Sequence, residues 1–427
     1  MAGRVLGPRV LAEGLGFGRR PTDEQAAVIE APVEPALVVA GAGAGKTETM
    51  AARVVWLVAN GLVTPDRVLG LTFTRKAARE LAERVRSRLR RLAAAGILDE
   101  DRRADVLAGE PTILTYHAYA GRLVGEHGLR LPTEPGARLL TETGAWQLAH
   151  RVVSTWEDDL DLDNVPATVT GYVLAVAGQL AEHLVDPEAL AAHAEAFRAT
   201  VENAPRGKGQ RAALSQDLQR RLKAQRDRVA MLPIVDAYVR RKRADGVLDF
   251  GDQLALAATL AVRHPEVGEA ERERYGVVLL DEYQDTGHAQ RVLLRALFAH
   301  EGMPVTAVGD PCQSIYGWRG ASAANLPRFA TDFPREDGRP APIYPLRTSF
   351  RNPPRVLDLA NAVSEPIRDG ATPVPGLRPA DEDAPSDVRV ALLPDVRAEL
   401  AWMAGAVAHA WRTEEDATGR PPTAAVL

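Results

Sequence analysis

The stretch Ala36-Leu-Val-Val-Ala-Gly-Ala-Gly-Ala-Gly-Lys-Thr47 constrains this chain more than any other. Ala36 to Ala40 is a short apolar run with β-branched residues, bounded by Pro35 and by glycines, which predicts a buried strand. Gly41, Gly43 and Gly45 allow a tight loop, and the residues from Glu48 onward carry helical periodicity. A strand, a glycine loop and a helix N-terminus together make a phosphate cradle. Its backbone is Ala42, Gly43, Ala44 and Gly45; Lys46 reaches β- and γ-phosphates, and the Thr47 hydroxyl reaches Mg²⁺. The first position of this signature is normally glycine, and here it is Ala40. A plain glycine connection between strand and helix is the competing reading, and the context on both sides favours a nucleotide site.

With 427 residues and 46.0 kDa the chain has room for two or three domains with proper cores. A net charge of −5 and a pI near 6.1 advertise no polyanion partner, so any such contact must come from local patches. The single cysteine, Cys312, excludes an intramolecular disulfide framework, suits a reducing compartment and reads as a small buried hydrophobe. No apolar run approaches the roughly 20 residues of a membrane span. Residues 1–20 read as a tail without the apolar core of a secretory signal. A soluble cytoplasmic protein is expected. Of the 52 Lys and Arg, only Lys46, Lys76, Lys208, Lys223 and Lys242 are lysine. An arginine-using chain that keeps lysine in the phosphate loop supports a functional role for Lys46.

Further along, Thr22 is an N-cap candidate with Gln25 as its capping-box partner, and Gln25 is also placed to read an adenine edge. Val68 to Thr74 predicts a second strand and Arg75 to Leu92 a helix, an alternation that implies a parallel doubly wound sheet. Thr72, Phe73, Thr74 and Lys76 fall at a ligand-facing strand end, while the arginines of the following helix read mainly as a solvated face. Pro111 to Tyr119 reads as a third strand, exiting at Thr115, Tyr116 and His117; His117 divides evenly between core and function. Residues 121–245 change texture and read as a helical insertion. Its helices are Tyr172 to Leu184, one from Pro187 to Ala199 capped by Asp186, and a stretch from Ala212 to Ala244. A basic loop, 206–211, suits a phosphate backbone or solvent alike.

The apolar strand from Tyr275 ends in Asp281-Glu282, the expected metal-and-base pair: Asp281 for Mg²⁺ and Glu282 for the attacking water. Val305 to Val308 is a strand leading into Gly309 to Ala321, where amide, aromatic and basic groups alternate. Gln313 is a candidate γ-phosphate sensor; Tyr316, Trp318 and Arg319 are candidates for stacking on bases and holding a phosphate. A Pro/Gly-rich linker, Asp332 to Pro342, marks a domain boundary. Beyond it a second α/β unit is expected. Its strands are Ile343 to Leu346 and Val388 to Leu393, its helices Arg355 to Ala362 and Ala398 to Trp411, with a strand beginning at Thr423 to Leu427.

Together these stretches resemble the UvrD/Rep-type superfamily 1A DNA helicases, over nearly the whole chain and in about eight motifs in order. Pro21 to Ala27 resembles the adenine-reading Q motif, Ala40 to Thr47 motif I, and Thr72 to Ala78 motif Ia, whose Phe73 position meets single-stranded DNA. Thr115 to His117 matches the DNA-contacting motif Ib, and Leu248 to Phe250 motif Ic. Asp281 to Thr286 resembles motif II, Gly309 to Ala321 motif III, and Ser349 to Arg351 motif IV, in which the Arg351 position reaches the γ-phosphate. The wording around the phosphate loop looks most like the motor subunits of the AdnAB helicase–nuclease group, which brings a second motor or nuclease subunit as a possible partner.

The resemblance implies an α/β fold: a RecA-like P-loop sheet with a helical insertion and an incomplete second RecA-like domain. Residues 21–120 and 246–333 would be domain 1A, 121–245 subdomain 1B, and 334–427 part of domain 2A. It further implies ATP and Mg²⁺ as ligands, single-stranded or duplex-junction DNA as partner, and 3′→5′ movement. Two departures stand out. Glu48 replaces the arginine that follows motif I in members such as UvrD, so adenine is clamped differently. The chain also ends before motifs V and VI, which reads as a truncated sequence. An arginine finger is worth about 10³–10⁵ in turnover, so its loss would cripple hydrolysis. The rival expectation is an ATP- and DNA-binding module with little motor activity; a P-loop kinase is a weaker third.

Overall fold

The computed structural model describes residues 5–131, 136–158, 160, 164–205, 207, 213–300, 302–368, 374–420 and 422–426. In chain order the first elements are α1 (Pro8–Gly14), α2 (Asp23–Ile29), β1 (Ala36–Ala40), α3 (Lys46–Ala59), β2 (Val68–Thr72), α4 (Arg75–Ala94), α5 (Glu100–Ala108), β3 (Thr112–Thr115) and α6 (Tyr116–His127). The insertion follows with β4 (Arg138–Leu139), α7 (Glu142–Ser154), α8 (Pro166–His183), α9 (Pro187–Asn203), α10 (Gln216–Ala230), α11 (Leu232–Ala244) and β5 (Val247–Leu248). The chain then returns through α12 (Phe250–Arg263), α13 (Pro265–Arg274), β6 (Val277–Leu280), α14 (His288–Phe298), β7 (Val305–Gly309), α15 (Asn325–Asp332) and β8 (Ile343–Leu346). Last come β9 (Thr348–Ser349), α16 (Pro354–Arg368), β10 (Arg378–Pro379) and α17 (Val396–Thr418).

One six-stranded sheet in the order β3-β2-β6-β7-β1-β8 organises the molecule, and all its pairings are parallel. Parallel strands need covering on both faces, and strand alternation supplies two apolar faces here. Leu37 and Val39 of β1 face a core shared with α6, α12, α14 and α15. Val38 and Ala40 face the other side, built from α1 to α5. The doubly wound expectation is met, and the strand ends at Ala40, Thr72, Thr115, Leu280 and Gly309 lie along one edge of the sheet. The insertion has its own core, with Leu148, Val173, Ile234 and Tyr238 from α7, α8 and α11. The short β4–β5 pair joins the chain where it leaves and re-enters the main unit.

Several boundaries differ from the sequence reading. Residues 1–20 are not wholly a tail: α1 packs on α3, with Leu11 and Leu15 buried and the Trp56 indole donating to the Leu6 carbonyl at 2.7 Å. The i, i+4 spacing of Leu11 and Leu15 was the available signal. The main unit does not end at residue 333 either. β8 pairs with β1, Leu37 against Ile343, and buries Leu346, so the Pro/Gly-rich stretch before it is a surface turn inside the unit. A strand is recruited there because β1 would otherwise expose an unpaired edge. Val388 to Leu393 forms no strand; Val390 and Leu392 are exposed, and no strand among the described residues pairs with them. Residues 423–426 are likewise irregular, and Leu427 lies outside the described residues. The helix expected from Ala212 is two helices, broken at Met231 just before Pro233, and α8 begins at Pro166 rather than Tyr172.

Arg53 of α3 is the most buried cation described, 1% exposed. Its guanidinium donates to the carbonyls of Val28 and Ala31 at 2.9 Å, Ile29 at 3.2 Å and Pro32 at 2.9 Å, closing the C-terminus of α2. Burial pushes its pKa down to about 10, so it remains charged at neutral pH. Arg53→Met removes a donor from four carbonyls, of which Val28 and Pro32 keep backbone N–H partners, and is expected to destabilise the fold by on the order of 3 kcal/mol, read by denaturant unfolding.

Candidate functional site

The loop from Gly41 to Gly45 joins β1 to the first turn of α3, whose N-terminus opens at Lys46. Gly43 and Gly45 have φ of 76° and 78°, a region that disfavours any side chain. Their surroundings demand glycine as well. A Cβ on Gly45 would lie 2.7 Å from Gln25 Nε2, and one on Gly43 would lie 2.7 Å from both Ser349 Oγ and Arg351 Cβ. Gln25 meets its capping-box reading and also braces the phosphate loop. It completes the capping box with Thr22, and its Nε2 donates to the Ala44 carbonyl at 3.3 Å.

Across the loop, Lys46 Nζ stands 3.3 Å from Glu282 Oε2. Glu282 has φ of 49°, one of two non-glycine residues in the left-handed region among those described. Such strain persists only where surroundings over-determine it, and here it turns the carboxylate toward the phosphate loop. Gln284 lies within the Asp281 to Thr286 motif but outside the expected site residues, and it holds this arrangement. Its Nε2 donates to Glu282 at 2.9 Å and to Asp285 at 3.1 Å, and its Oε1 accepts from the Asp310 backbone at 3.0 Å.

Asp281 is buried; its Oδ2 accepts from the Thr72 hydroxyl at 3.3 Å. Its Oδ1 is buried with no partner. Burial, reinforced by the neighbouring Glu282 charge and opposed by Lys46, pushes its carboxyl up to about 6. An orphaned carboxylate oxygen and the Thr47 hydroxyl are oxygen donors of the kind a hard divalent cation takes alongside phosphates and water, so these residues fit Mg²⁺. Among the described residues no cluster of three or more acidic, His or Cys groups forms a self-sufficient metal cage.

The segment after β8 lies directly on the loop. The Phe350 N–H donates to Gly43 O and Ser349 Oγ donates to Ala42 O, both at 2.9 Å, which brings Arg351 over the glycines. Beside them a cavity of about 680 Å³ is lined by Phe17, Arg19, Gln25, Glu48 and Phe350, among others, a volume suited to a nucleoside. Glu48 is not a loose replacement there. It pairs with Arg88 and with Arg84 at 3.7 Å, and Arg88 lies 4.4 Å from the Phe17 ring centroid. Part of the expected solvated face of α4 is therefore engaged: Arg88 is only 8% exposed.

A second group of residues lies at the same edge of the sheet. Phe73 stacks on Tyr316 at 5.6 Å between centroids, and Tyr316 meets Trp318 at 6.4 Å. Trp318 is 75% exposed, too open for a core side chain. His117 packs edge-on to Phe250 at 5.7 Å, and burial lowers its pKa, so it is neutral near pH 7. The Thr115 hydroxyl caps α6 by accepting from the Ala118 N–H at 3.1 Å. Gln313 donates to Asp310, three residues back, rather than standing free in the loop cleft. Cys312 is half-buried, less than a core hydrophobe. The side chain of Arg319 and most of the basic loop 206–211 lie outside the described residues.

A parallel sheet, a glycine loop opening onto a helix, and an Asp-Glu pair facing its lysine define a P-loop nucleotide-binding protein. Residues 21–334 match the UvrD/REP helicase N-terminal domain, and the chain belongs to that family. It is 29% identical over 345 residues to the ATP-dependent DNA helicase PcrA of Leuconostoc citreum, covering 80% of this chain and 38% of that protein. To the ATP-dependent DNA helicase UvrD1 of Mycobacterium tuberculosis it is 30% identical over 358 residues, 82% of this chain and 40% of the relative. To DNA helicase II of Escherichia coli it is 27% identical over 344 residues, again 80% and 40%. The chain thus spans about two fifths of the length of these curated relatives. No described helix is long and apolar enough to cross a membrane.

Gly43→Ala introduces a Cβ against Ser349 and Arg351 at a φ of 76°. Titration with a fluorescent ATP analogue is expected to show at least about a tenfold loss of affinity, the equivalent of 1.4 kcal/mol.

Proposed function

We propose that this chain is the ATP-binding part of a DNA motor that hydrolyses Mg·ATP and moves 3′→5′ on single-stranded DNA, at or near duplex junctions. The observation that carries the proposal is the continuous chain Lys46–Glu282–Gln284–Asp310, which links the phosphate loop to the turn bearing Tyr316 and Trp318. A nucleotide-binding protein without mechanical output has no need to join its catalytic carboxylate to an exposed aromatic loop. The names of the relatives, all ATP-dependent DNA helicases or DNA helicase II, agree with it.

On this reading Gln25 and the neighbouring cavity take the base, and Ala42 to Gly45 cradle the phosphates with their N–H groups. Lys46 leaves Glu282 for the β/γ-phosphates, freeing the carboxylate to orient and deprotonate the attacking water. Thr47 and Asp281 would hold Mg²⁺, which supplies charge neutralisation on the phosphates when bound. Arg351 approaches the γ-phosphate from the segment that lies over the loop, and Gln313 communicates with it through Asp310. Phe73, Tyr316 and Trp318 offer ring faces to unpaired bases, while Thr115, His117 and Arg319 add contacts along the strand. Domain 1A would comprise 21–120 together with 246–346, 1B the insertion, and 2A would begin with the segment carrying Arg351.

Single-stranded-DNA-stimulated ATPase tests this. Lys46→Ala and Glu282→Gln are each expected to lower turnover by about 10²–10⁴-fold. Normal stimulated turnover in either variant refutes the assignment. Trp318→Ala is expected to weaken binding of an oligothymidylate by about tenfold, since one base–aromatic stack is worth about 1–3 kcal/mol, with ATP affinity unchanged. DNA binding without turnover in the parent chain would favour a binding module instead.

A further inference from the structure

Helix α8 of the insertion ends against a seam between two loops of the main unit. One loop follows the β6 carboxylates and reaches Gly287; the other bears Tyr316 and Trp318 and closes at Gly320. Gly287 and Ala321 form an isolated antiparallel bridge. The Ser322 N–H donates to the Thr286 carbonyl at 3.1 Å, and Asn325 Nδ2 donates to the same oxygen at 2.7 Å. The bridge is a single residue pair, supported by these bonds and by Ser314 Oγ donating to the Gln284 carbonyl at 3.2 Å.

The Glu182 side chain, in the last turn of α8, enters this seam. A Cβ on Gly287 would fall 1.6 Å from Glu182 Oε1. A Cβ on Gly320 would fall 2.5 Å from Glu182 Cγ and 3.2 Å from its Oε1. Both glycines therefore border space that the glutamate occupies, and at Gly320 a φ of 85° excludes a side chain as well. The helix end is itself held firmly: Leu184 closes α8 at φ 53°, a conformation a leucine keeps only under external constraint. His183 of α8 and His288 of α14 flank the contact, with ring centroids 6.4 Å apart, and Arg291 further along α14 is engaged by Asp332. Burial pushes the Glu182 carboxyl up to about 7, so the niche accommodates the neutral acid readily.

We propose that Glu182 is a positioning residue that wedges the helical insertion into the seam between the Gly287 and Gly320 loops, so that neither loop moves without the other or without α8. The loop of the catalytic carboxylate and the aromatic loop are then held in register by a side chain from the insertion, in addition to the Gln284 link. Its functional consequence rests on the motor reading above; its structural consequence does not.

Three variants of the full chain test it: Glu182→Ala, Glu182→Gln and Glu182→Asp, each checked for an intact thermal transition. Hydrogen–deuterium exchange of peptides covering 284–290 and 314–322 is expected to rise about tenfold in both loops in the alanine and aspartate variants. The glutamine variant, a neutral isostere, is expected to stay within about twofold of the parent. Unchanged exchange in the alanine variant, a rise in one loop only, or glutamine behaving like alanine would overturn the proposal. A paired test adds Gly287→Ala, whose Cβ also meets the Gly320 carbonyl at 3.2 Å and which is expected to lower the melting temperature of the parent more than that of Glu182→Ala; equal loss in both also overturns it. In ATPase assays the alanine variant is expected to lose most of its DNA stimulation while KM for ATP holds, with glutamine restoring it. If the parent shows no DNA-stimulated hydrolysis, the motor reading fails and the exchange result still decides the role of Glu182.

Discussion

The 3.3 Å approach of the Lys46 ammonium to the Glu282 carboxylate joins the ends of two strands that are not neighbours in the sheet. β7 lies between β1 and β6, so the pair spans the end of an intervening strand, and that strand runs into the aromatic turn. Everything else at the site is arranged around this crossing. Gln284 braces Glu282 and reaches Asp310 at the end of β7. Asp281 keeps an unpartnered oxygen beside it. A parallel sheet makes such convergence possible, because strands of one polarity deliver their C-terminal residues to one edge.

The chemistry at that edge was largely legible in the sequence, since it is written in residue type at fixed spacing. Lys46, Thr47, Asp281 and Glu282 are short-range signals: a strand, a turn and a polar pair, each readable within a dozen residues. Gln25 closes the capping box with the oxygen of its amide, and its nitrogen reaches Ala44, a contact that residue spacing does not announce. The less legible parts depended on partners distant in sequence. β8 lies beyond a linker-like stretch, and only its register against Leu37 reveals that it belongs to the first sheet. Val388 to Leu393 has strand-like composition, but a strand exists only where another offers hydrogen bonds. Glu48 looked like a lost arginine, and only packing shows that it gathers Arg84 and Arg88 from α4.

The same distinction explains what the sequence could not reveal about Gln284 and Glu182. Glu182 lies in no recognisable motif, and Gln284 lies inside one that does not announce its bracing role. Gln284 matters because Glu282 and Asp310 lie on either side of it, and Glu182 because two glycines far along the chain leave a space of its shape. Glycines are easily read as turn-formers, yet at 43, 45, 287 and 320 an incoming side chain or segment presses on them.

The strand β8 has a mechanical implication. It is hydrogen-bonded to β1 along Leu37 to Ala40, and the chain leaving it runs at once across the phosphate loop through Ser349 and Phe350. A pull on the chain beyond residue 351 would reach the sheet's edge through this short segment. Among the bonds that bear it are those to Ala42 and Gly43, each worth about 1 kcal/mol, beside the pairing of Thr348 and Ser349 with Arg378 and Pro379. The sheet's edge and the phosphate loop thus share the same few backbone atoms.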